Sequence, residues 1–380
     1  MQTATSSLAI QMVDLTAQHA RIQHELDAAM EEVVAASAFI RGPQVELFEN
    51  ALAAYLDAKH VIGCANGTDA LQLALMALDL PPGTEVITAD FTFVATAEVI
   101  RLLGLTPVLV DVDPDTFLID PYAIEEAITS RTGAIIPVHL FGQCADMERI
   151  MAIAEKDKIF VIEDNAQALG ATCNVKSNRR RKAGTIGHIG CTSFFPSKNL
   201  GAMGDGGAVI TNDSAMAEKI RIIANHGQGS QYQYERIGIN SRLDTIQAAI
   251  LEVKLKHLDE YNRLRQLAAQ QYDAALSPIS DLRPPVRVSG SDHIFHQYTL
   301  KVRNGKRDAL MQHLQASGIP SKVYYPLPLH KYKPYEGMGR NIRHSLELAT
   351  QVLSLPMHTE LTTEQTSFIS SKVKNFFDKK

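Results

Sequence analysis

Ile159-Phe-Val-Ile-Glu-Asp164-Asn-Ala-Gln167 reads as an apolar strand ending in a carboxylate, and Ser193-Phe-Phe-Pro-Ser-Lys198-Asn-Leu-Gly201 follows a second short apolar run. A strand that is apolar almost throughout is buried on both faces, which is the habit of a parallel sheet covered by helices. The same texture extends in both directions from this pair. Strands are expected at Val61–Cys64, Glu85–Ala89, Pro107–Val112, Ala134–Leu140, Ile159–Glu163, Cys191–Phe195 and Ala208–Thr211. Helices are expected between them at Thr68–Leu78, Ala95–Leu103, Pro121–Ile128 and Asp146–Lys156. Such alternation implies the α/β class, with a mainly parallel mixed sheet between helices. Ligands of such sheets bind at the carboxyl ends of the strands, where both Asp164 and Lys198 fall.

Two helices precede the sheet, carried by Ile22, Leu26, Met30 and Val33, and after Pro43 by Val45, Phe48, Leu52 and Tyr55. Beyond it, His226–Arg242 reads as a loop and Leu243–Ala275 as one long helix. The breaker-rich stretch Ser277–Pro285 marks a boundary between a large domain, 1–280, and a small C-terminal α+β domain, 281–380. The small domain is expected to hold strands Gln297–Val302 and Ile319–Val323 and helices Arg307–Ser317, Ser345–Ser354 and Thr363–Phe377.

With 37 Lys and Arg against 42 Asp and Glu, the net charge of −5 offers no basic field for nucleic acid or an anionic membrane. The run Arg179-Arg-Arg-Lys182 reads as a solvated loop, the alternative being an electrostatic guide for a phosphorylated substrate. No apolar stretch approaches the ~20 residues of a membrane helix. Met1–Ser7 lacks the features of a signal peptide, and Cys64, Cys144, Cys173 and Cys191 stand singly, as buried thiols of a cytoplasmic protein do. The 13 histidines form no HExxH pair, and no metal site is expected.

Lys198, between aromatic, proline and small residues, is placed for desolvation, which lowers the proton affinity of an amine and makes it nucleophilic. A reactive lysine plus an acid at a strand's end is what pyridoxal phosphate (PLP) needs, one for a Schiff base and the other for the pyridinium nitrogen. Cys64-Ala-Asn-Gly67-Thr68 joins a strand to a helix whose N-terminus suits a phosphate, with Thr68 as N-cap; read alone it is first of all a plain helix cap. Ser193 and Ser197 add hydroxyls for the same anion. Phe93 follows a strand and is able to stack on a flat ring, Ala166 lacks the bulk to prevent contact with the other face, and Gln167 is able to reach a phenolic oxygen.

On these residues the chain resembles the sugar aminotransferases of the fold-type I PLP enzymes, which transaminate keto groups on nucleotide-linked sugars. The resemblance runs from Phe39–Gln44 through Ala65–Thr68, Phe91–Thr96, Asp111–Asp113, Glu163–Gln167, Ser193–Lys198 and Gly204–Gly207 to Asn240–Asp244 and Gln247–Ala249. It implies Lys198 as the imine lysine, Asp164 as the pyridinium partner, Gln167 on the phenolic oxygen and Phe93 with Ala166 around the ring. It implies Gly67, Thr68 and Ser193 on the phosphate, together with Asn240 of a neighbouring subunit in a homodimer with shared sites. His226, Arg242 and Tyr325 map near the sugar. For Arg242, pairing with a substrate carboxylate competes with a structural salt bridge to Asp244 or another acid.

His226–Gln228, Arg236–Ile250 and Thr192–Lys198 most resemble one branch, which aminates the 3-keto group of a UDP-linked N-acetyl-hexosaminuronate for bacterial surface polysaccharide such as O-antigen. Tyr324-Tyr325-Pro326 departs from the His-Tyr-Pro of many relatives. L-glutamate is the implied amino donor, leaving pyridoxamine phosphate between two half-reactions. The alternatives are a dTDP- or UDP-linked 3-keto or 4-keto deoxysugar as acceptor, a PLP-dependent dehydrase, which carries histidine in place of the lysine, and a non-catalytic regulator of the same fold.

Overall fold

The computed structural model describes residues 9–175 and 179–378, so the segment Met1–Ser7 and part of the basic insertion lie outside it. Helices α1 (Leu15–Ala20), α2 (Gln23–Ala36) and α3 (Pro43–Leu56) lead into β1 (His60–Cys64) and α4 (Gly67–Ala77). Alternation continues through β2 (Glu85–Ala89), α5 (Ala95–Leu102), β3 (Thr106–Val110), α6 (Pro121–Ala127), β4 (Thr132–Ile136), α7 (Met147–Asp157) and β5 (Phe160–Asp164). An antiparallel pair, β6 (Thr172–Val175) and β7 (Arg179–Lys182), precedes β8 (Ile189–Ser193), β9 (Gly207–Thr211) and α8 (Ser214–Ile223). A further pair, β10 (Gln228–Ser230) and β11 (Gln233–Tyr234), precedes α9 (Thr245–Leu255) and α10 (Leu258–Leu276). The C-terminal part contains β12 (Leu282–Arg283), β13 (Tyr298–Val302), α11 (Arg307–Ala316), β14 (Gly339–Arg340), α12 (His344–Gln351), β15 (Val352–Leu355) and α13 (Thr363–Asp378).

The large sheet has the order β1-β9-β8-β5-β4-β2-β3-β14, and β9 alone runs against its neighbours. The sheet is therefore mixed but mainly parallel, as expected. Its strands alternate between two cores: Val161 packs with Ile150 and Ile153 of α7, while the next residue, Ile162, packs with Leu71 and Leu75 of α4 and Ile220 of α8. Burial on both faces is why these strands read as unbroken apolar runs. A third core joins Ala268, Tyr272 and Leu276 of α10 to Tyr298 and Leu300 of β13, Leu314 of α11, Leu353 of β15 and Ile369 of α13.

Several expectations change. The single helix expected over Leu243–Ala275 is two helices, parted at Lys256 and His257, because α9 packs on α2 and α3 whereas α10 packs on α13. The strand expected at Ile319–Val323 is reduced to one bridge, Lys322 to Ser354. The helix expected to run to Ser354 stops at Gln351, since Val352–Leu355 are all buried as a strand beside β13. The basic run is strand β7, not a loop. Helix α8, capped by Asp213, was missed by the sequence reading. All four cysteines are free and buried, and the thiols of Cys144 and Cys173 contact one another. No helix among the described residues is long and apolar enough to cross a membrane.

Candidate active site

The carboxyl ends of β1, β2, β5 and β8 open onto one cleft of about 1140 Å³. Gly67, Thr68, Phe93, Asp164, Ala166, Gln167, Ser193, Ser197, Lys198 and Tyr325 all line it. Apart from Tyr325, which comes from the C-terminal part, these residues meet here because each follows, or ends, a strand of the same mainly parallel sheet.

Lys198 is carried by a tight return of the chain. Its amide donates to Phe195 O at 2.8 Å, and the Ala202 amide donates to Phe194 O at 2.8 Å. Gly201 is required in that return, since a Cβ would lie 2.2 Å from Pro196 O. Asn199 anchors the loop from behind, donating to Asn262 at 2.7 Å and to Ile294 O at 3.2 Å. Burial pulls the Lys198 amine down to about 8, against the opposing attraction of Asp164.

Asp164 ends β5 with its main chain held to the neighbouring segment, its amide donating to Pro137 O at 2.9 Å. Its Oδ2 accepts from the Thr96 hydroxyl at 2.8 Å and its Oδ1 from the Ala166 amide at 3.2 Å. Glu163, one residue earlier, points to the other face and is fully buried. Burial pushes its carboxyl up, but His139 and the amides of Gly184, Ile186 and Gly187 outweigh that and hold it below the ordinary value. The Ala145 amide donates to His139 Nδ1, so Nε2 carries the proton donated to Glu163 at 2.8 Å.

Helix α4 points its N-terminus into the cleft. Its N-cap is Asn66, which accepts from the Asp69 amide at 2.8 Å; Thr68, the expected cap, lies inside the first turn. The shift leaves the Thr68 hydroxyl uncommitted to the cap. Two glycines keep this corner open: a Cβ on Gly67 would lie 2.6 Å from Ser193 Cβ, and one on Gly207 would lie 2.4 Å from the Asn66 carbonyl. Gln167 accepts from the Phe141 amide at 2.6 Å and turns its NH2 toward the Tyr325 hydroxyl at 3.4 Å. Phe93 stays 55% exposed, with its ring centroid 6.4 Å from that of Tyr325.

Three expected residues lie elsewhere. Asn240, Arg242 and His226 are absent from this cleft; Arg242 lines a separate groove of about 720 Å³ beside Arg41, Glu46 and Asn225. Arg242 Nε donates to Asn240 Oδ1 at 2.7 Å, and neither Asp244 nor another acid pairs with it among the described residues. The sequence reading also missed residues that the cleft contains: Asp205, Tyr332, Tyr335 and a buried His296. Burial, helped by Lys198 and Arg265, pushes the His296 imidazole well below its ordinary value. Nothing in the local sequence around His296 marks it as part of a site.

The residues fit pyridoxal phosphate: an open glycine corner at a helix N-terminus for the phosphate, an exposed aromatic face, a carboxylate with both oxygens oriented, and a lysine amine of low proton affinity. The comparisons agree. A UDP-2-acetamido-2-deoxy-3-oxo-D-glucuronate aminotransferase of Pseudomonas aeruginosa is 46% identical, over 96% of this chain and 100% of that protein. A protein of Geobacillus stearothermophilus called a pleiotropic regulatory protein is also 46% identical, over 97% of this chain and 98% of its own. A UDP-N-acetyl-3-dehydro-alpha-D-glucosamine 3-aminotransferase of Acidithiobacillus ferrooxidans is 45% identical, over 97% and 98%.

Among solved structures, an aminotransferase from Brucella abortus superposes with a TM-score of 0.91 at 42% identity, covering 97% of this chain and 100% of that one. NtdA of Bacillus subtilis, with bound cofactor PMP, superposes at 0.88 with 31% identity, covering 97% of this chain and 83% of its own. The family model for DegT/DnrJ/EryC1/StrS aminotransferases matches residues 20–374. With the lysine, the acid and the anion corner in place, this chain belongs to the DegT/DnrJ/EryC1/StrS aminotransferase family, whose chemistry depends on pyridoxal phosphate.

Proposed function

We propose that this protein transfers the amino group of L-glutamate to the C3 keto group of a UDP-linked N-acetyl-hexosaminuronate, in the cytoplasm, for bacterial surface polysaccharide. The observation that carries the reading is the desolvated Lys198 sharing a cleft with Asp164, in a chain 46% identical along nearly its whole length to an aminotransferase named for such a sugar. When bound, pyridoxal phosphate supplies the electron sink and carries the amino group between the two substrates. Lys198, as a free amine, takes the proton from the donor's Cα, the carbon that gives up the nitrogen, and in the second half-reaction delivers a proton to the sugar's C3, the carbon that receives it. Asp164 keeps a proton on the ring nitrogen. Thr68, Ser193 and the amides of α4 take the phosphate, and Gln167 offers its NH2 to the phenolic oxygen. Phe93 and Ala166 flank the ring. We place Tyr325 at the sugar.

Charge argues for a homodimer with shared sites. Among the described residues, the cleft presents the carboxylates of Asp69, Glu98, Asp164 and Asp205 with Lys198 as its one lysine or arginine, yet a nucleotide diphosphate and glutamate both bring negative charge. A second copy supplying Asn240 to the phosphate, and Arg242 and His226 to the substrate, completes the balance; the guanidinium fork of Arg242 suits a carboxylate or phosphate. The division into 1–280 and 281–380 is part of the same proposal, with α10 of the larger part packing into the core of the smaller one.

Assay of glutamate-dependent amino transfer over a panel of UDP- and dTDP-linked 3-keto and 4-keto sugars tests the substrate, the uronate being expected to give the highest kcat/KM. A dTDP-linked 4-keto sugar as the best acceptor would replace this reading. The regulator named among the relatives makes one second reading specific: a protein whose visible absorption band L-glutamate does not bleach is a regulator of this fold, not a transaminase.

A further inference from the structure

Asp164 is gripped from two sides. Its main chain is tied across the sheet, the amide to Pro137 O at 2.9 Å and the carbonyl to the His139 amide at 3.0 Å. Its carboxylate is held by a different element, the first turn of α5, through the Thr96 hydroxyl at 2.8 Å. Thr96 is fully buried, and its neighbours Ala95 and Ala97 are buried too. A helical threonine ordinarily bonds back to its own helix; this one reaches Asp164, 68 residues away in sequence. With Ala166 N–H on Oδ1, each carboxylate oxygen takes one protein donor and keeps acceptor capacity on the cleft side.

We propose that Thr96 is a positioning residue for the reaction: its hydroxyl fixes the plane of the Asp164 carboxylate, so that a free lone pair stays aimed at the ring nitrogen and holds the proton there. The proposal rests on the aminotransferase reading above. A hydroxyl donor favours the charged form of a carboxylate, and in a dry site its loss is felt in full. An Asp164 carboxylate free to rotate holds the ring proton less firmly, and the charge that draws electrons from the donor's Cα weakens. Thr96 touches neither glutamate nor sugar in this account, so its effect belongs in the rate and not in donor binding.

The test uses PLP-loaded Thr96→Val, which keeps the side chain's shape, and Thr96→Ser, which keeps the hydroxyl. Thr96→Val is expected to slow bleaching of the visible band by L-glutamate roughly ten- to hundredfold, the scale of a lost hydrogen bond to a charged group. Half-saturating glutamate stays within about twofold, since the bond is not made to the donor. The pH midpoint of the band, which reports the linkage to Lys198, moves up by roughly one unit, because a less charged ring disfavours a second positive charge less. Thr96→Ser restores both readouts. In an Asp164→Asn background, Thr96→Val adds no further loss, as coupling through Asp164 requires. Should Thr96→Val fail to fold, Thr96→Ala lacks the same hydroxyl and is read the same way.

A Thr96→Val protein with wild-type midpoint and bleaching rate overturns the proposal, as does a Thr96→Ser protein as impaired as Thr96→Val, which would point to the methyl group. A wild-type protein lacking a glutamate-sensitive band would overturn the aminotransferase reading instead.

Discussion

At Lys198 two effects oppose each other: burial drives the proton off the amine, and Asp164 in the same cleft draws it back. Burial wins and pulls the amine down to about 8, from an ordinary 10.5. Capture of PLP by the apoenzyme needs the neutral amine. Its rate is therefore expected to rise with pH and level off just above about 8. Absorbance-monitored reconstitution from about pH 6 to about pH 10 reads this directly, and a rate still climbing at the upper end would mean a solvated lysine. Lys198→Ala is expected to lose the visible band and turnover while keeping its circular dichroism. Wild-type turnover in that variant would remove Lys198 from the chemistry. Lys198 and Asp164 were legible in sequence as candidates because their surroundings were chemically odd: a lysine among apolar neighbours and an acid closing an apolar strand.

Strand β5 works as an element because its side chains alternate. Asp164 faces the cleft while Glu163 faces the opposite side, where three amides and His139 satisfy it. Glu163→Gln replaces an acceptor by a donor against those amides and is expected to cost about 3 kcal/mol, read as a lower denaturation midpoint. Because this carboxyl titrates below its ordinary value, its contribution is present above the ordinary carboxylate range and is lost as pH falls through its folded pKa. The wild-type and variant midpoints should converge in acid. Helix α4 gives a second test. Asn66→Ala removes the cap to the Asp69 amide and is expected to cost about 1 kcal/mol. Asn66→Asp keeps the cap but sets a negative charge beside the anion corner, so stability should hold while PLP affinity falls. Equal PLP affinity in wild type and Asn66→Asp would take the phosphate away from this helix. Sequence misplaced this cap by two residues because Asn66, Thr68 and Asp69 are all cap formers, and only the folded turn chooses among them.

For the whole molecule, the decisive separation is between the Lys198 cleft and the groove holding Arg242. If Asn240 serves the partner's site, a mixed dimer of Lys198→Ala and Asn240→Asp has one site with both lesions and one with neither. Co-refolding the two inactive proteins should then restore activity to up to roughly half of the mixed dimers' sites. Asn240→Asp must be inactive alone, as a carboxylate near the phosphate would make it. No recovery, with subunit exchange confirmed, would put Asn240 outside any shared site.

The sequence by itself determined the α/β class, the mainly parallel sheet and the strand ends whose Lys198 and Asp164 share one cleft, since apolar runs and misplaced charges are local signals. The tertiary structure alone decided what depends on distant packing. It chose where Leu243–Ala275 breaks, because two cores claim its halves, and it made Val352–Leu355 a strand by giving it β13 as a neighbour. It brought Thr96 onto the Asp164 carboxylate and His296 to the cleft, and left Arg242 outside it. His296 sits in unremarkable local sequence, and the contact of Thr96 with Asp164 arises only when elements far apart in the chain are packed together.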